Sequence, residues 1–539
     1  MTNDLLIRGA LVVDGSGGPG RVADVAVRGG LITGVGRPSD EGYPKIVDGS
    51  GLVLCPGFID VHTHSDFTLP QHPRAFSMTS QGVTTQVVGN CGFSPFPLGE
   101  DNGALLRKYA GFLDSGLPWG TWRTVREYLA LLEALPLAGN IAFLVGLGSV
   151  RMAVMGFAAG PPDEWQLDRM RSHVEEALQA GAAGVSSGLT YAPSSEAATD
   201  ELVALAEVAA RFDGAFYATH IRNEAITLVE AVSEALLIGR RAGLPVQLSH
   251  HKSMGKANWR KINTTLAMVD QARSDGQDVT LDQYPYTAGS TGLAVILPRW
   301  VMGDGPTGMQ QLLADPVSRA RIREQIAAQR HDDLVNGLRE FDPDAVVIAD
   351  VPSAALRRYV GMSLRQAAAD RGQEPVDTAL DLLSETGGEV LTIVHGQSEE
   401  NLRQIMRHPS TMIASDGWTL SPEVRGRPHP RSYGTYSRVL GRYVREEGTL
   451  PLEEAVRKMT SLPASRLGLV DRGLLREGWA ADLVLLDPAE VRDLATFDHP
   501  HAFSEGVRMV VVNGTRVVED GVDTGAVAGR VLRRGGVTT

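Results

Sequence analysis

Residues that can bind a metal or move a proton recur at the ends of short apolar runs in this sequence of 539 residues. His62 and His64 end the apolar run 57–64, two residues apart, and alternate residues of a β-strand point to the same face. Both imidazoles can therefore bind one ion. Five further residues of this kind each end another apolar run: Cys91, His220, His250, His395 and Asp416.

These residue types are the ones that zinc accepts. Zinc binds neutral imidazole, thiolate and carboxylate ligands, and a catalytic zinc site keeps one coordination position for water. A single His-x-His pair is a weak indication of a metal site. The further ligand residues at several other strand ends make the indication strong. The position of His395 at a strand end is equally consistent with a structural and a functional role, so its role stays open. The sequence therefore predicts a metal site.

Apolar runs that alternate with helical segments position these residues. Nine such runs follow Pro56, and amphipathic helices such as 162–180 separate several of them. Strands separated by helices form parallel βαβ units, and about eight of them favour an α/β fold with a closed (β/α)8 TIM-like barrel. The carboxyl ends of the barrel strands meet at one mouth, where active sites of this architecture lie. Nine runs for eight places leave open whether the run ending at His395 is a barrel strand.

Segments rich in β-structure at both ends of the chain flank the predicted barrel. They carry alternating apolar residues broken by Gly and Asp-Gly turns, which is typical of hairpins. We expect a small β-sandwich domain built from 1–55 and 466–539, and a barrel over 56–465. Residues from about 286 to 380 show no clean βα repeat, and we expect an insertion late in the barrel that acts as a lid over the mouth.

The composition argues against several classes of protein. A net charge of −13, with no run of Lys or Arg longer than two, disfavours nucleic acid and acidic membrane surfaces as partners. Two cysteines cannot form a disulfide framework, so we expect a cytoplasmic protein. Neither an apolar run of membrane-spanning length nor a signal peptide is present, so we expect no membrane association. The expected partner is a small molecule, and the sequence does not specify an oligomeric state.

Several separated motifs carry a resemblance to a known family. The segment PGFIDVHTHSD (56–66), with the β-rich flanks and a late Asp at a strand end, resembles the amidohydrolase superfamily. The motifs that resemble its N-acyl-D-amino-acid deacylase, or D-aminoacylase, family are QGVTTQVVGNCGFSPFP (81–97), HIRNE (220–224), SHHKSMG (249–255), DQYPYTAGSTGL (282–293) and ASDGW (414–418). The resemblance extends from Leu5 to about Val518.

The resemblance implies a set of metal ligands. Many amidohydrolases bridge two metals with a carboxylated Lys on the fourth barrel strand, but this sequence has GVSSGL (184–189) there. In the deacylase family a cysteine of the second strand takes the bridging role, and Cys91 matches that position. The resemblance implies a tightly held zinc and a second, weaker site that can be empty. The implied ligands are Cys91, His220 and His250 for the first ion, and His62, His64 and Asp416 for the second.

The implied reaction is hydrolysis of an N-acyl-D-amino acid to a carboxylate and a free D-amino acid, and the preference for D rests on the resemblance alone. Zinc polarises the amide carbonyl and lowers the pKa of water towards about 7. We expect Asp416 to accept the proton of that water as a general base and to deliver it to the leaving nitrogen as a general acid.

Three residues are predicted to bind the α-carboxylate of the substrate. Lys252 follows His250 by two residues and so lies on the same strand face. Tyr284 and Arg427 match the carboxylate-binding positions of the family, and a guanidinium can bind a carboxylate bidentately. Two neighbouring arginines are alternatives to Arg427: Arg425 and Arg431.

The apolar segment 290–298 predicts a preference for neutral, hydrophobic D-amino acids such as leucine, phenylalanine, methionine or tryptophan. An acidic side chain would need a cation there, and the nearest, Arg299, comes only after Pro298. Two other functions stay open. An amidohydrolase acting on a cyclic amide, as hydantoinases and dihydroorotases do, or on a dipeptide is disfavoured by the missing Lys. A metal-free assembly scaffold would be expected to have lost several ligand positions, and here all six are filled.

Overall fold

The computed structural model describes residues 4–39, 42–99, 103–112, 116–328 and 342–535. Its strands fall into three sheets. In chain order they are β1 Leu5–Val12, β2 Arg21–Arg28, β3 Leu31–Gly36, β4 Lys45–Asp48, β5 Val53–Pro56, β6 Phe58–Asp60, β7 Val83–Val88, β8 Asn140–Gly146, β9 Gly184–Gly188, β10 Phe216–His220, β11 Val246–Leu248, β12 Val279–Gln283, β13 Ala288–Gly292, β14 Val346–Asp350, β15 Leu391–His395, β16 Thr411–Ile413, β17 Leu483–Leu486, β18 Val507–Val512, β19 Thr515–Glu519 and β20 Val522–Asp523.

The helices lie mostly between the strands of the barrel and within the insertion. The α-helices are α1 Phe76–Thr79, α2 Gly103–Tyr109, α3 Val125–Glu133, α4 Leu147–Met155, α5 Glu164–Gln179, α6 Thr199–Ala209, α7 Leu228–Ala242, α8 Lys261–Ser274, α9 Gly305–Ala314, α10 Pro316–Ala328, α11 Leu364–Arg371, α12 Pro375–Thr386, α13 Glu399–Arg407, α14 Arg431–Arg438, α15 Leu452–Met459 and α16 Ser461–Arg466. A π-helix, Val439–Glu446, continues α14. None of the helices that the structure describes is long and apolar enough to cross a membrane.

Eight parallel strands form the barrel, in the order β6, β7, β8, β9, β10, β11, β12 and β16. A bridge between Thr63 and Gly417 brings the first and last strands together. The His64 amide donates to the Gly417 carbonyl at 2.9 Å, and the Asp416 amide donates to the His62 carbonyl at 2.8 Å. The prediction of a TIM-like barrel is confirmed, and the barrel closes beside three of the predicted ligands.

Amphipathic helices cover the outer face of the barrel, and side chains of the strands fill its interior. Helix α5 starts with a reciprocal capping box between Asp163 and Gln166, which satisfies amide groups at its first turn. Its apolar face buries Met170, Val174 and Leu178. The strand it covers on the barrel, β8, is buried at every residue, as expected for a parallel sheet between helices and a filled interior.

The two ends of the chain together form a second domain, a nine-stranded sheet in which β17 pairs with β5. Its alternating residues serve two cores, because successive side chains of a strand point to opposite faces. Val484 and Val510 pack with Met459 of α15, towards the barrel. Leu483 and Leu485 lie in the other core. The predicted β domain from both termini is confirmed, and the boundaries 1–55, 56–465 and 466–539 stay predictions.

The insertion follows β12 and contributes a separate three-stranded antiparallel sheet of β13, β15 and β14. The run that ends at His395 is β15, so it is an accessory strand, and β16 supplies the eighth barrel strand. Of the predicted insertion over about 286–380, residues 329–341 lie outside the described residues.

Candidate metal centre

The six predicted ligands all lie at the mouth of the barrel, and all are buried. Each ligand lies at the carboxyl end of a barrel strand or within a few residues of it. His62 and His64 follow the same strand, and the other ligands each follow a different strand. The pairs of strand and ligand are β6 with His62 and His64, β7 with Cys91, β10 with His220, β11 with His250, and β16 with Asp416.

Three of these ligands have a left-handed backbone conformation, which residues other than Gly rarely adopt. The φ angles are 53° at Cys91, 35° at His250 and 51° at Asp416. Such strain is kept only where the surroundings enforce it. At His250 the enforcing contact is a hydrogen bond of 2.7 Å from its amide to the Asp282 carboxylate. These turns direct the side chains to the mouth instead of continuing the strands.

Cys91 lies at the centre of the first group of ligands. Its Sγ is 3.2 Å from His62 Nε2 and 3.5 Å from His250 Nε2. The His220 and His250 rings are edge to face, with centroids 4.4 Å apart. Burial raises the pKa of the Cys91 thiol, but the His62 and His250 imidazoles outweigh burial and hold that pKa well below its usual value. The thiolate, the form that binds metals, is therefore favoured.

His62 also belongs to a second group, with His64 and Asp416. Asp416 Oδ1 is 3.2 Å from His64 Nε2 and 3.4 Å from His62 Nε2. A third combination joins His220 and His250 to Glu224. Within the described residues these are the three groups with metal-binding geometry, and all three lie at the mouth.

Unsatisfied nitrogen atoms show that these residues fit a metal ion. Both ring nitrogens of His220 and Nδ1 of His64 are buried and make no hydrogen bond with the described part of the chain. A buried polar atom without a partner costs about 1–3 kcal/mol, so such atoms are rare unless a ligand satisfies them. Sulfur, imidazole nitrogen and carboxylate oxygen together form the donor set typical of zinc.

Asp282 is a functional residue to which the sequence analysis gave no role. Its Oδ1 is 3.2 Å from Nδ1 of His62, and Gln247 donates to its Oδ2 at 2.6 Å. A carboxylate on the far nitrogen of a ligand imidazole fixes the tautomer and the ring orientation. The signal was present in the sequence as an acidic residue near the carboxyl end of a barrel strand.

Glu224 is the second such residue. It accepts a hydrogen bond from Lys252, and its Oε1 is 3.1 Å from Nδ1 of His250. Burial raises the pKa of Glu224, but the charges of Lys252, His220 and His250 outweigh burial and hold the pKa far below its usual value. The Lys252 Nζ also lies 2.8 Å from Nδ1 of His250 and donates to the His250 carbonyl at 3.0 Å, so Glu224 and Lys252 together hold the far side of this imidazole. The signal was its place four residues after His220 in the HIRNE motif.

Two of the three predicted carboxylate-binding residues lie in the cavity beside this centre. Lys252 and Tyr284 line the cavity, and the Lys252 Nζ is 5.7 Å from the centre of the Tyr284 ring. The structure does not bring Arg427 there: its side chain is exposed and covers Gly361, and its amide donates to the Ala349 carbonyl.

Arg431, one of the two alternatives to Arg427, lines the cavity instead. It is the first residue of α14, it is 2% exposed, and it donates to Asp416 Oδ2 at 2.6 Å. Its guanidinium lies 4.9 Å from the centre of the Tyr284 ring. The Pro- and Arg-rich loop before α14 therefore leaves Arg427 outside, while the helix start brings Arg431 inside.

The cavity beside the centre encloses about 80 Å³ and is mostly apolar away from the ligands. The insertion covers it, because residues of β13, β14 and β15 form part of its wall. The apolar side chains that line it include Phe93, Leu293, Val346, Val394 and Trp418. His395 is not among the lining residues, and its ring packs on Phe497 at 4.8 Å between centroids.

Comparisons with known proteins place these features in a family context. Residues 45–518 match the amidohydrolase family. The chain is 38% identical over 533 residues to the D-aminoacylase of Alcaligenes xylosoxydans xylosoxydans, and the alignment covers 98% of each protein. It is also 38% identical over 533 residues to the N-acyl-D-glutamate deacylase of the same organism, covering 98% of this chain and 96% of the relative.

A solved structure is similar over the same extent. The crystal structure of N-acyl-D-glutamate deacylase from Bordetella bronchiseptica, complexed with zinc and a phosphonate that mimics the tetrahedral intermediate, aligns with a TM-score of 0.82. The sequence identity is 36%, and the alignment covers 98% of this chain and 99% of the other.

Proposed function

Since this chain belongs to the N-acyl-D-amino-acid deacylase family of the amidohydrolases, a group of metal-dependent hydrolases of linear amides, we propose that it deacylates N-acyl-D-amino acids with neutral, hydrophobic side chains at a zinc centre. The observation that carries the proposal is that three overlapping groups of possible ligands meet at one buried mouth: His62 with Cys91 and His250, His62 with His64 and Asp416, and His220 with Glu224 and His250. Its acidic, cysteine-poor composition supports a cytoplasmic site of action.

Cys91, His220 and His250 are proposed to hold the tightly bound zinc, and His62, His64 and Asp416 a second, weaker one. The similar structure from Bordetella bronchiseptica is complexed with zinc, which supports the choice of metal. A bound zinc would supply a Lewis acid that polarises the amide carbonyl and lowers the pKa of water towards about 7. His62 contacts members of both groups, so a change at His62 is expected to affect both sites.

Asp416 is proposed to accept and then donate the proton. Burial raises the pKa of its carboxyl, but Arg431 and His62 outweigh burial and hold that pKa well below its usual value. The carboxylate is therefore ionised at neutral pH and lines the cavity, where it can accept a proton from a water molecule. Delivery of that proton to the leaving nitrogen releases the free amino acid.

Lys252, Tyr284 and Arg431 are proposed to bind the α-carboxylate, with Arg431 in the role that the sequence gave to Arg427. Nε of Arg431 is buried and makes no hydrogen bond with the described residues, while one Nη is bonded to Asp416. An incoming carboxylate would supply the missing acceptor, and a guanidinium can offer two parallel donors to it.

The apolar wall of the cavity supports the preference for neutral side chains. The cations that line this cavity are Lys252 and Arg431, both on the side assigned to the α-carboxylate. Arg299 lines a neighbouring cavity instead. Similarity alone does not choose the side chain, because the D-aminoacylase and the N-acyl-D-glutamate deacylase are equally identical to this chain. A buried acidic side chain without a partner would be costly.

The two alternatives have less support. Deacylases of linear amides are similar to the chain over almost its whole length, which disfavours a cyclic-amide hydrolase. The fourth barrel strand carries Ser186 and Ser187, whose hydroxyls bond to the Gly89 carbonyl and to Tyr217, in place of a bridging Lys. An assembly scaffold would not need to keep strained, buried ligands at the mouth.

A kinetic panel tests the proposal. N-acetyl derivatives of D- and L-leucine, phenylalanine, methionine, tryptophan and glutamate would be assayed with the zinc content of the same sample. We expect turnover of the hydrophobic D substrates and little turnover of the L forms, and a Cys91→Ala control that loses zinc and activity together. A higher kcat/KM for N-acetyl-D-glutamate than for N-acetyl-D-leucine would contradict the side-chain preference.

A further inference from the structure

A second apolar cavity lies next to the metal cavity. It encloses about 60 Å³ between α2, α9 and the segment Gly292–Leu297. Its apolar lining includes Tyr109, Ala294, Leu297, Met302 and Met309. The function proposed above assigns no role to this space.

Tyr191 and Val295 separate the two cavities, because both residues line each of them. The Tyr191 ring is edge to face with the His220 ring, 5.0 Å between centroids, and lies 5.2 Å from the Phe93 ring. Its hydroxyl is 3.3 Å from Thr291 Oγ1, a long hydrogen bond that costs little to break. A modest rotation of Tyr191 would therefore join the two cavities.

The order of the barrel strands indicates which part of a substrate points to this cavity. The proposed carboxylate-binding residues Lys252, Tyr284 and Arg431 follow β11, β12 and β16. Tyr191 follows β9, which stands four places from β16, three from β12 and two from β11 in the ring of eight strands, so it lies across the barrel from Arg431 and Tyr284. In an N-acyl-amino acid the acyl chain leaves the scissile carbonyl away from the amino acid. With the carboxylate on one side, the acyl chain points towards Tyr191.

We propose that the second cavity receives the distal part of a long, unbranched, apolar acyl group, and that Tyr191 and Val295 form the passage to it. The inference rests on the proposed function and deepens it, since it names the acyl class of the substrate. Each methylene group buried there should raise the binding constant of the substrate roughly fourfold. N-octanoyl substrates should therefore exceed N-acetyl substrates in kcat/KM by at least about tenfold.

A competing occupant is an acyl group that ends in a carboxylate. Lys108, Arg299 and Glu389 also line the second cavity. Lys108 is engaged with α9, where its Nζ donates to Thr307 Oγ1 at 3.1 Å. An N-succinyl substrate distinguishes the two classes, because a terminal carboxylate and an apolar chain end make opposite demands on the same wall.

The test compares acyl lengths on the zinc-loaded enzyme. N-acetyl-, N-butanoyl-, N-octanoyl- and N-succinyl-D-leucine would be assayed with the wild type, with Ala294→Phe and with the conservative control Ala294→Ser. Ala294 lines the second cavity and not the metal cavity, so a phenyl group there fills the acyl space. We expect the octanoyl-to-acetyl ratio of kcat/KM to fall at least about tenfold in Ala294→Phe and to stay near wild type in Ala294→Ser.

Three results would overturn the inference. The first two are a wild-type kcat/KM that does not rise with acyl length and a higher kcat/KM for N-succinyl- than for N-octanoyl-D-leucine. The third is that Ala294→Phe lowers kcat/KM for N-acetyl-D-tryptophan relative to N-acetyl-D-alanine but leaves the dependence on acyl length unchanged. If Ala294→Phe does not fold, competitive inhibition of the wild type by octanoate is expected to be at least about tenfold stronger than by acetate, and equal inhibition would overturn the inference. If N-acetyl-D-leucine is not hydrolysed at all, the proposed function fails, and calorimetric binding of octanoate to the zinc-loaded protein still decides whether the cavity takes an acyl chain.

Discussion

The two ends of the barrel bury polar groups in opposite ways. At the mouth, three ligands have left-handed backbones, and Nδ1 of His64 and both ring nitrogens of His220 make no hydrogen bond with the described residues. At the other end, Asn140 starts β8 and joins the barrel to the β domain. Both carboxylate oxygens of Asp482 accept hydrogen bonds there. One accepts from the backbone N–H of Asn513, and the other accepts from the side chains of Asn140 and Arg472.

Residues near the C-terminus complete the satisfied end. The Ile141 amide donates to the Arg530 carbonyl at 2.9 Å, and the Leu532 amide donates to the Ile141 carbonyl at 2.7 Å. Asn513 donates to both Asn140 and the Ala528 carbonyl. Buried polar groups that are fully paired rigidify a fold, whereas unpaired ones cost stability. The comparison teaches that the mouth is organised around a ligand and the opposite end around stability.

The largest effect that sharpens this comparison is expected from Asp416→Asn. The amide cannot accept the proton, so kcat should fall by about 10²- to 10⁴-fold, which is the usual contribution of a positioned acid or base. Zinc bound by Cys91, His220 and His250 should remain, because none of them is changed. Steady-state kinetics with N-acetyl-D-leucine and metal analysis of the same sample measure both. An unchanged kcat would remove Asp416 from the mechanism.

The matched change at the opposite end, Asp482→Asn, should act on stability instead. It removes the nearer of the two carboxylates that contact the buried guanidinium of Arg472, the other being Asp471 at 3.6 Å, and breaking a buried ion pair usually costs about 3–5 kcal/mol. Urea unfolding should show that loss, while kcat/KM and the zinc content of the folded enzyme stay at the wild-type level. If Asp482→Asn instead lowered kcat at unchanged stability, the division of roles between the two ends would be wrong.

A smaller effect is expected at β12, which has an Asp near each end. Asp282→Asn at the mouth weakens the orientation of His62 and of the His250 backbone, and such outer partners are worth about 10- to 100-fold in metal affinity. Competition with a chelator measures this. Asp278→Asn, before the strand at the other end, is the control, since its carboxylate pairs with Arg466 and is 59% exposed. Equal zinc affinities in the two variants would refute a positioning role for Asp282.

The smallest effect separates two arginines of one loop. Arg431→Lys keeps the charge but loses the planar pair of donors, so the KM for N-acetyl-D-leucine should rise about tenfold. Arg427→Lys should leave KM unchanged, because the Arg427 side chain is exposed and outside the cavity. The opposite pattern would return the carboxylate to Arg427 and show that the loop rearranges when substrate binds.

Much of the fold and of the ligand set could be predicted, because both depend on local patterns. Alternation and apolar runs fix which residues end a strand, and a closed parallel barrel brings all carboxyl ends to one mouth. His62, Cys91 and Asp416 therefore could be assigned to the mouth without coordinates. The single β domain from both termini followed from the hairpin-like patterns at the two ends, whereas the pairing of β5 with β17 that joins them is seen in the structure.

The remaining features depend on contacts between segments far apart in the chain. The run ending at His395 looks like a barrel strand, and only its antiparallel pairing with β13 and β14 removes it from the barrel. Asp282 acquires its role because the barrel brings the end of β12 to His62, 220 positions away in the chain.

The sequence by itself determined the chemistry of this protein: which residue types end the strands, and hence that a metal could be bound where the strands converge. The tertiary structure decided which side chains lie next to one another. It brings Arg431 and not Arg427 into the metal cavity, and it forms the second cavity behind Tyr191. The physical reason is that strand patterns act through nearest neighbours, whereas the direction of a loop side chain is set by the packing of distant segments against it.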